Sequence, residues 1–170
     1  LGYTERSPQQ RKAYLRLRER YVRRGKEFVY IDESGFEPTV IRRYAYAQKG
    51  KRMYGLTSGH RRPRTSLLAA RIGKRFAAPI LFVGSCDTEV FTWWPETQLC
   101  PLLNDTHVVI MDNAPFHKSP QTQELIECKA ATLLFLPPYS PDLNPIENDF
   151  SIIKRLREYN AHATLDTIIG

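Results

Sequence analysis

The sequence predicts an α/β domain in which a sheet carries helices on its faces. Three observations lead there. β-rich runs at 27–32, 64–72 and 79–83 come early and are joined by short connections, as antiparallel strands are. Two later runs, THVVIMD (106–112) and TLLFLP (132–137), show no polar alternation, so both faces of each are expected to be buried. Helical patterns precede, separate and follow those two runs, and helix–strand–helix–strand–helix is the order of an α/β sheet.

The elements follow in chain order. Ser7-Pro8-Gln9-Gln10 opens a helix: Ser7 can cap, Pro8 suits the first helical position, and Gln10 stands where a capping-box partner belongs. The helix should run to about Arg24 and stop at Gly25. Ala13, Tyr14, Leu17 and Tyr21 make its apolar stripe, and Arg11, Lys12, Arg16, Arg18, Arg20, Arg23 and Arg24 crowd the remainder. EFVYID (27–32) is a short strand that ends on an acid, and 43–47 is a small second strand. A loop over 50–64 holds Lys51, Arg52, Arg61, Arg62 and Arg64, candidate DNA contacts; it has no GKS or GKT and is not a phosphate-binding P-loop. Runs 64–72 and 79–83 form a hairpin around Gly73-Lys74-Arg75. From Asp87, a plausible cap, the pattern turns helical, and Pro95 should kink or split that helix. A further helix spans about 120–129, and the last runs from Pro145 to about Glu158.

Bulk properties narrow the class. Apolar residues make up 42% of the 170, enough for one domain with a real core. No apolar run approaches a membrane span, and no signal peptide is visible. Cys86, Cys100 and Cys128 share no CxxC spacing, which argues against a disulfide framework or a zinc site and fits a reducing cytoplasm. The chain starts on Leu1 rather than Met, as a trimmed or partial chain would. Residues 1–75 carry 20 Lys and Arg against 6 Asp and Glu, a net +14; residues 76–170 carry 5 against 12, a net −7. A basic half suggests a polyanion such as nucleic acid, although a solvated surface explains it equally well.

Three acids stand at informative places: Asp32 at the end of the first strand, Asp112 at the end of VVIMD, and Glu147 in the first turn after LPPYSPDLNP. Ligand sites in open α/β sheets gather beyond the carboxyl ends of the strands. Neighbouring strands can bring Asp32 and Asp112 together, and Glu147 can join them from the final helix. Three like charges need a cation, and Mg²⁺ takes oxygen ligands of this kind. Two such ions ~3.5–4 Å apart clamp the oxygens of an in-line phosphoryl displacement. Each acid also has a simpler local role. An Asp at a strand end often starts a turn. With Asn144 as N-cap and Pro145 at the first helical position, Glu147 occupies the reciprocal position of a capping box.

YIDESGF (30–36), VIMDNAPFHKS (109–119) and LPPYSPDLNPIEN (136–148) resemble, in order and spacing, the three signature blocks of mariner-superfamily transposases. The bacterial insertion-sequence branch is the most similar, because 34 residues separate Asp112 and Glu147. The likeness runs from about Tyr3 to Ile168. It implies an RNase H-like fold: a mixed five-stranded sheet, antiparallel first and parallel later, with helices on both faces. It implies that residues 26–170 are a DDE catalytic domain, with 1–25 a basic helix leading from a DNA-binding region. It also implies that Asp32, Asp112 and Glu147 hold two Mg²⁺ ions, with Mn²⁺ a substitute, and cut DNA at transposon ends. The freed 3′-hydroxyl then attacks target DNA, usually at TA, with a homodimer pairing two ends in a bacterial cytoplasm.

Neighbouring residues fill secondary roles on this reading. Glu33 should point to the opposite face from Asp32; the resemblance, rather than the local pattern, selects Asp32. His117 is a candidate phosphate contact or a structural hydrogen-bonder. Ser151, Lys154 and Arg155 lie on Glu147's side of the last helix and are candidate phosphate contacts, with simple solvation the alternative for Lys154 and Arg155. Asn113 and Asn144 are read as loop holders rather than metal ligands, and Trp93-Trp94 as core packing or a protein contact, with base stacking the lesser reading. Two departures stand out: Phe150 occupies a position where the family often has tryptophan, and Pro95 interrupts a helix that is usually continuous. A silent DNA-binding remnant and an RNase H-like nuclease are the alternative functions.

Overall fold

The computed structural model describes residues 4–37, 48–51, 63–160 and 162–170. Helix α1 (Pro8–Arg23) is capped by Ser7, whose hydroxyl accepts from the Gln10 N–H at 3.3 Å. It ends in a Schellman turn: Gly25, at φ +68°, donates to Val22, and Lys26 donates to Tyr21. Of the expected stripe, Tyr14 is buried and Leu17 and Tyr21 are half-buried, but Ala13 faces solvent. Arg18 covers the sheet beside them, with its Nε on the Tyr30 hydroxyl at 3.2 Å and its guanidinium over the Phe28 ring. A long basic stem can cover apolar surface while its head stays polar, so arginine does what a small alanine cannot.

Strands β1 (Glu27–Phe36), β2 (Thr65–Ile72), β3 (Arg75–Val83), β4 (His107–Met111) and β5 (Thr132–Phe135) form one sheet in the order β3-β2-β1-β4-β5. β1–β2 and β2–β3 are antiparallel; β1–β4 and β4–β5 are parallel. This is the expected mixed five-stranded sheet. β4 is buried along its whole length, as its unbroken apolar run requires. The expected strand at 43–47 lies outside the described residues. β3 begins four residues earlier than the sequence suggested. RFAA reads weakly as strand, and the register slips between Leu68 and Ala70, near Ala78 at φ +49°.

Each face of the sheet has its own core layer. On one side α2 (Thr88–Trp94) and α3 (Pro120–Glu127) pack Phe91, Trp94 and Ile126 against Val29, Ile31, Val109 and Met111. Asp87 caps α2, accepting from the Val90 N–H at 2.9 Å. The helix does split at Pro95: a wide turn over Pro95–Leu99 and a tight one over Cys100–Leu102 replace its continuation. Trp94 is fully buried and donates to the Ala78 carbonyl, whereas Trp93 is half-exposed. On the other side α1, α4 (Ile146–Tyr159) and the short α5 (Leu165–Ile169) cover Tyr30, Leu67, Val108 and Ile110. Phe150 fills this layer, edge-on to Phe76 at 6.3 Å. Arg71 of β2 ties α4 to the sheet through Asp149 at 2.7 Å.

Candidate active site

The parallel pairing sets the first two acids. β1 and β4 align Tyr30 with Ile110 as their last partners. Asp32 and Asp112 each lie two residues further on, and a strand returns to the same face every two residues. They therefore emerge side by side beyond the end of β4, on the face covered by α4. Asp32 is not at the end of its strand, contrary to expectation. β1 loses its parallel neighbour after Tyr30 but stays paired to β2, from Asp32↔Ala69 to Phe36↔Thr65. Glu33 points to the other face, where its charge and that of Asp87 add to the burial that pushes the Cys86 thiol up to about 12.

The third acid arrives from the proline loop. After β5, Pro137 and Pro138 turn the chain, and Tyr139 adopts φ +54°. A tight turn over Pro141–Leu143 follows, and α4 starts at Ile146. Pro145, at φ −63°, already has a helical backbone. Asp142 anchors this loop to α1: Arg11 grips it at 2.8 Å, and Arg6 bonds the same carboxylate.

Asp32, Asp112 and Glu147 line one pocket of about 580 Å³ with Asn113, Leu136, Pro137, Pro138, Tyr139, Ser140, Pro141 and Asn144. Burial drives the Asp32 carboxyl up to about 7; the Glu33 N–H opposes this, and the Glu147, Asp112 and Glu33 charges add to it. Asp112 behaves oppositely. Burial raises it, but hydrogen bonds from His117 and the Ala114 N–H outweigh that, and it falls below the usual range. Among the described residues, no three His, Cys, Asp or Glu side chains close on one point as a finished metal cage. The acids share a pocket rather than a point. Its lining offers carboxylate, amide and hydroxyl oxygens with no thiol or imidazole, a set suited to a hard divalent cation.

The capping box does not form. The Asn144 N–H donates to the Pro141 carbonyl at 2.9 Å, so Glu147 has no N–H there to accept. The Asn144 side chain donates instead to Asp32 Oδ2 at 3.0 Å. Asn113 does hold a loop, donating to the Leu136 carbonyl. His117 is only 2% exposed, which fits its reading as a structural hydrogen-bonder. Its Nδ1 lies 2.5 Å from Asp112 Oδ1 and its ring 4.2 Å from that of Phe91, so it acts on the acid.

The candidate DNA contacts are scattered. Arg52, Arg61 and Arg62 lie outside the described residues; Lys51 is described and exposed. Arg64 is exposed and lies over Gly35, where any Cβ would collide with its guanidinium. Lys154 and Arg155 are exposed on α4, with the Lys154 ammonium 5.8 Å from the Phe36 ring centre. Sequence reasoning missed Asn144 as a partner of Asp32 and the grip of Arg6 and Arg11 on Asp142. The asparagine of LNPIE was the one available signal.

Comparison with known proteins bears on the fold. The chain aligns with the Mos1 strand transfer complex at TM-score 0.65 and 18% identity, over 94% of this chain and 55% of that one. It aligns with the Mos1 mariner paired end complex with Mn at 0.68 and 17%, over 99% and 60%. The catalytic domain of Mos1 mariner transposase gives 0.57 and 15%, over 99% and 88%. The shared fold is the RNase H-like DDE fold, and the chain spans a little over half of the longer Mos1 chains. No curated protein sequence matches it. The profile of the DDE superfamily endonucleases matches residues 27–169, and the chain belongs to that family.

Proposed function

We propose that this is the catalytic domain of a DNA transposase that uses Asp32, Asp112 and Glu147 to hold Mg²⁺, with Mn²⁺ able to substitute. The observation that carries this reading is the shared pocket: three acids from three separate segments line it, in a chain of the DDE endonuclease family. Two ions are the proposed complement. When bound, they neutralise the phosphodiester and activate the attacking oxygen. The chain's own groups set the stage. Asp32 and Asp112 are fixed by the parallel register, and Glu147 is delivered by a loop stiffened by prolines and gripped by α1. His117 keeps Asp112 ionised and oriented.

The proposed reaction is hydrolysis at transposon ends, then attack of the freed 3′-hydroxyl on target DNA at TA. Lys51, Arg52, Arg61, Arg62, Arg64, Lys154 and Arg155 are the proposed phosphate contacts. Residues 1–25 would lead from a DNA-binding region, residues 26–170 would be the catalytic unit, and a homodimer would pair two ends. Mos1 structures of this kind include paired-end and strand-transfer complexes. No helix among the described residues is long and apolar enough to cross a membrane. A bacterial cytoplasm, with the enzyme on the nucleoid, is the proposed setting, and the insertion-sequence branch the proposed origin.

The test is nicking of supercoiled plasmid with Mg²⁺ or Mn²⁺, which Asp112→Ala should abolish. Cleavage that persists in EDTA would remove the metal mechanism. Cleavage restricted to RNA–DNA hybrids would select an RNase H-like nuclease instead.

A further inference from the structure

We infer that Asn144 positions Asp32 and presents a fourth oxygen to the hydration shell of the cation, an inference that rests on the metal-dependent reading above. Asn144 is 3% exposed and lines the pocket. Its Nδ2 donates to Asp32 Oδ2 at 3.0 Å, while the Glu33 N–H donates to Asp32 Oδ1 at 2.8 Å. Each oxygen of Asp32 thus carries one donor, which fixes the plane of the carboxylate and leaves each oxygen a free lone pair. An ionised carboxylate only accepts, so the amide must turn its nitrogen toward Asp32 and its oxygen away. That oxygen, Asn144 Oδ1, is buried with no hydrogen-bond partner among the described residues.

A buried acceptor left unpaired costs free energy, and such exceptions call for a reason. A hard cation that keeps part of its water shell supplies one, since its waters are strong donors and amide oxygens serve as ligands. The backbone of the same residue reaches the second acid: the Glu147 N–H donates to the Asn144 carbonyl at 3.2 Å. One residue therefore ties the sheet acid to the helix acid, and its amide sets how the two face each other. Loop-holding alone explains the backbone bonds of Asn144 but not an amide spent on Asp32 with its other end unpaired.

The experiment measures Mn²⁺ affinity by calorimetry at pH 8, together with thermal melts of the cation-free protein. Leucine is close to asparagine in shape and removes both polar atoms. Asn144→Leu should stay folded, because loss of the unpaired acceptor offsets part of the cost of the lost bond to Asp32, yet bind Mn²⁺ about 10–100-fold more weakly. Asn144→Ala should lose affinity to a similar degree. Wild-type Mn²⁺ affinity in a folded Asn144→Leu overturns the inference. Loss of the fold in both variants overturns it equally, because Asn144 would then be a structural residue. A wild-type protein that binds no Mn²⁺ removes the metal-dependent reading itself, a different result from the other two.

Discussion

Asp32 holds its proton up to about pH 7, chiefly because burial disfavours the charge, with the Glu147 and Asp112 carboxylates adding to the effect. The folded protein therefore binds more protons than the unfolded chain between the ordinary carboxylate range and about pH 7. By linkage, that group makes the cation-free protein less stable as pH rises through the window. A divalent cation reverses the balance, because it requires the ionised form and must displace the proton. Mn²⁺ affinity should fall about tenfold per unit as pH drops from 7 toward 5, with close to one proton released per site. Calorimetry in two buffers of different ionisation enthalpy measures this; affinity that is flat across the window would contradict it. Asp112 contributes no such slope near neutrality, since His117 and Ala114 hold it below the usual range. The sequence suggested that the three acids repel one another, but not which of them keeps its proton. Asp32 and Asn144 are 112 residues apart, and a hydrogen bond over that span belongs to the tertiary fold alone. Local pattern could offer Asn144 only the commonest role of its residue type, a helix cap.

The elements were more legible than the contacts between them, and the reason is physical. Caps, prolines and glycines act within a few residues, so Ser7, Asp87, Pro95 and Gly25 declared their turns directly. The extent of β1 depends on which neighbour it keeps, and only the sheet order reveals that β2 carries it past Asp32 to Phe36. The third signature block shows both sides. Its prolines announced a stiff approach to α4, but the grip of Arg6 and Arg11 on Asp142 needed coordinates. Pro145→Ala should lower stability by about 0.4–1 kcal/mol, because alanine restores backbone freedom to the unfolded chain where proline already fits. A urea melt should show the midpoint falling with an unchanged slope. Phe150 gives an independent check on α4. It is 1% exposed and packs edge-on against Phe76. Tryptophan is larger than phenylalanine and would overpack this layer, so Phe150→Trp should destabilise by about 1–3 kcal/mol. A neutral or stabilised variant would mean that the layer has room to accept the larger ring.

At the scale of the molecule, charge and fold divide the work. The basic first 75 residues supply α1, β1 and β2, while the net −7 remainder supplies β4, β5, α4 and two of the three site acids. The pocket itself is acidic and would repel DNA unless cations and surrounding basic side chains offset it. Arg64 stands near the end of β1 that carries Asp32, against Gly35, and Lys154 reaches toward Phe36 from α4. Gly35 shares a face with Glu33, so Arg64 lies across the sheet from the acids and Lys154 on their own side. Their contribution should be independent of sequence, because phosphate contacts position without specifying. Replacing Arg61, Arg62 and Arg64 together with alanine should weaken binding to all duplexes alike. It should also reduce the slope of log affinity against log salt by about 2–3, close to 0.9 for each phosphate that no longer meets a cationic side chain. Cation affinity should stay at the wild-type level, since the three acids are untouched and Arg64 does not line the pocket. Unchanged DNA affinity would leave this basic stretch as solvated surface and shift the burden of binding to α1 and α4. A weakening confined to one DNA sequence would instead mean that these arginines read bases, which calls for a different docking of the duplex across the sheet edge.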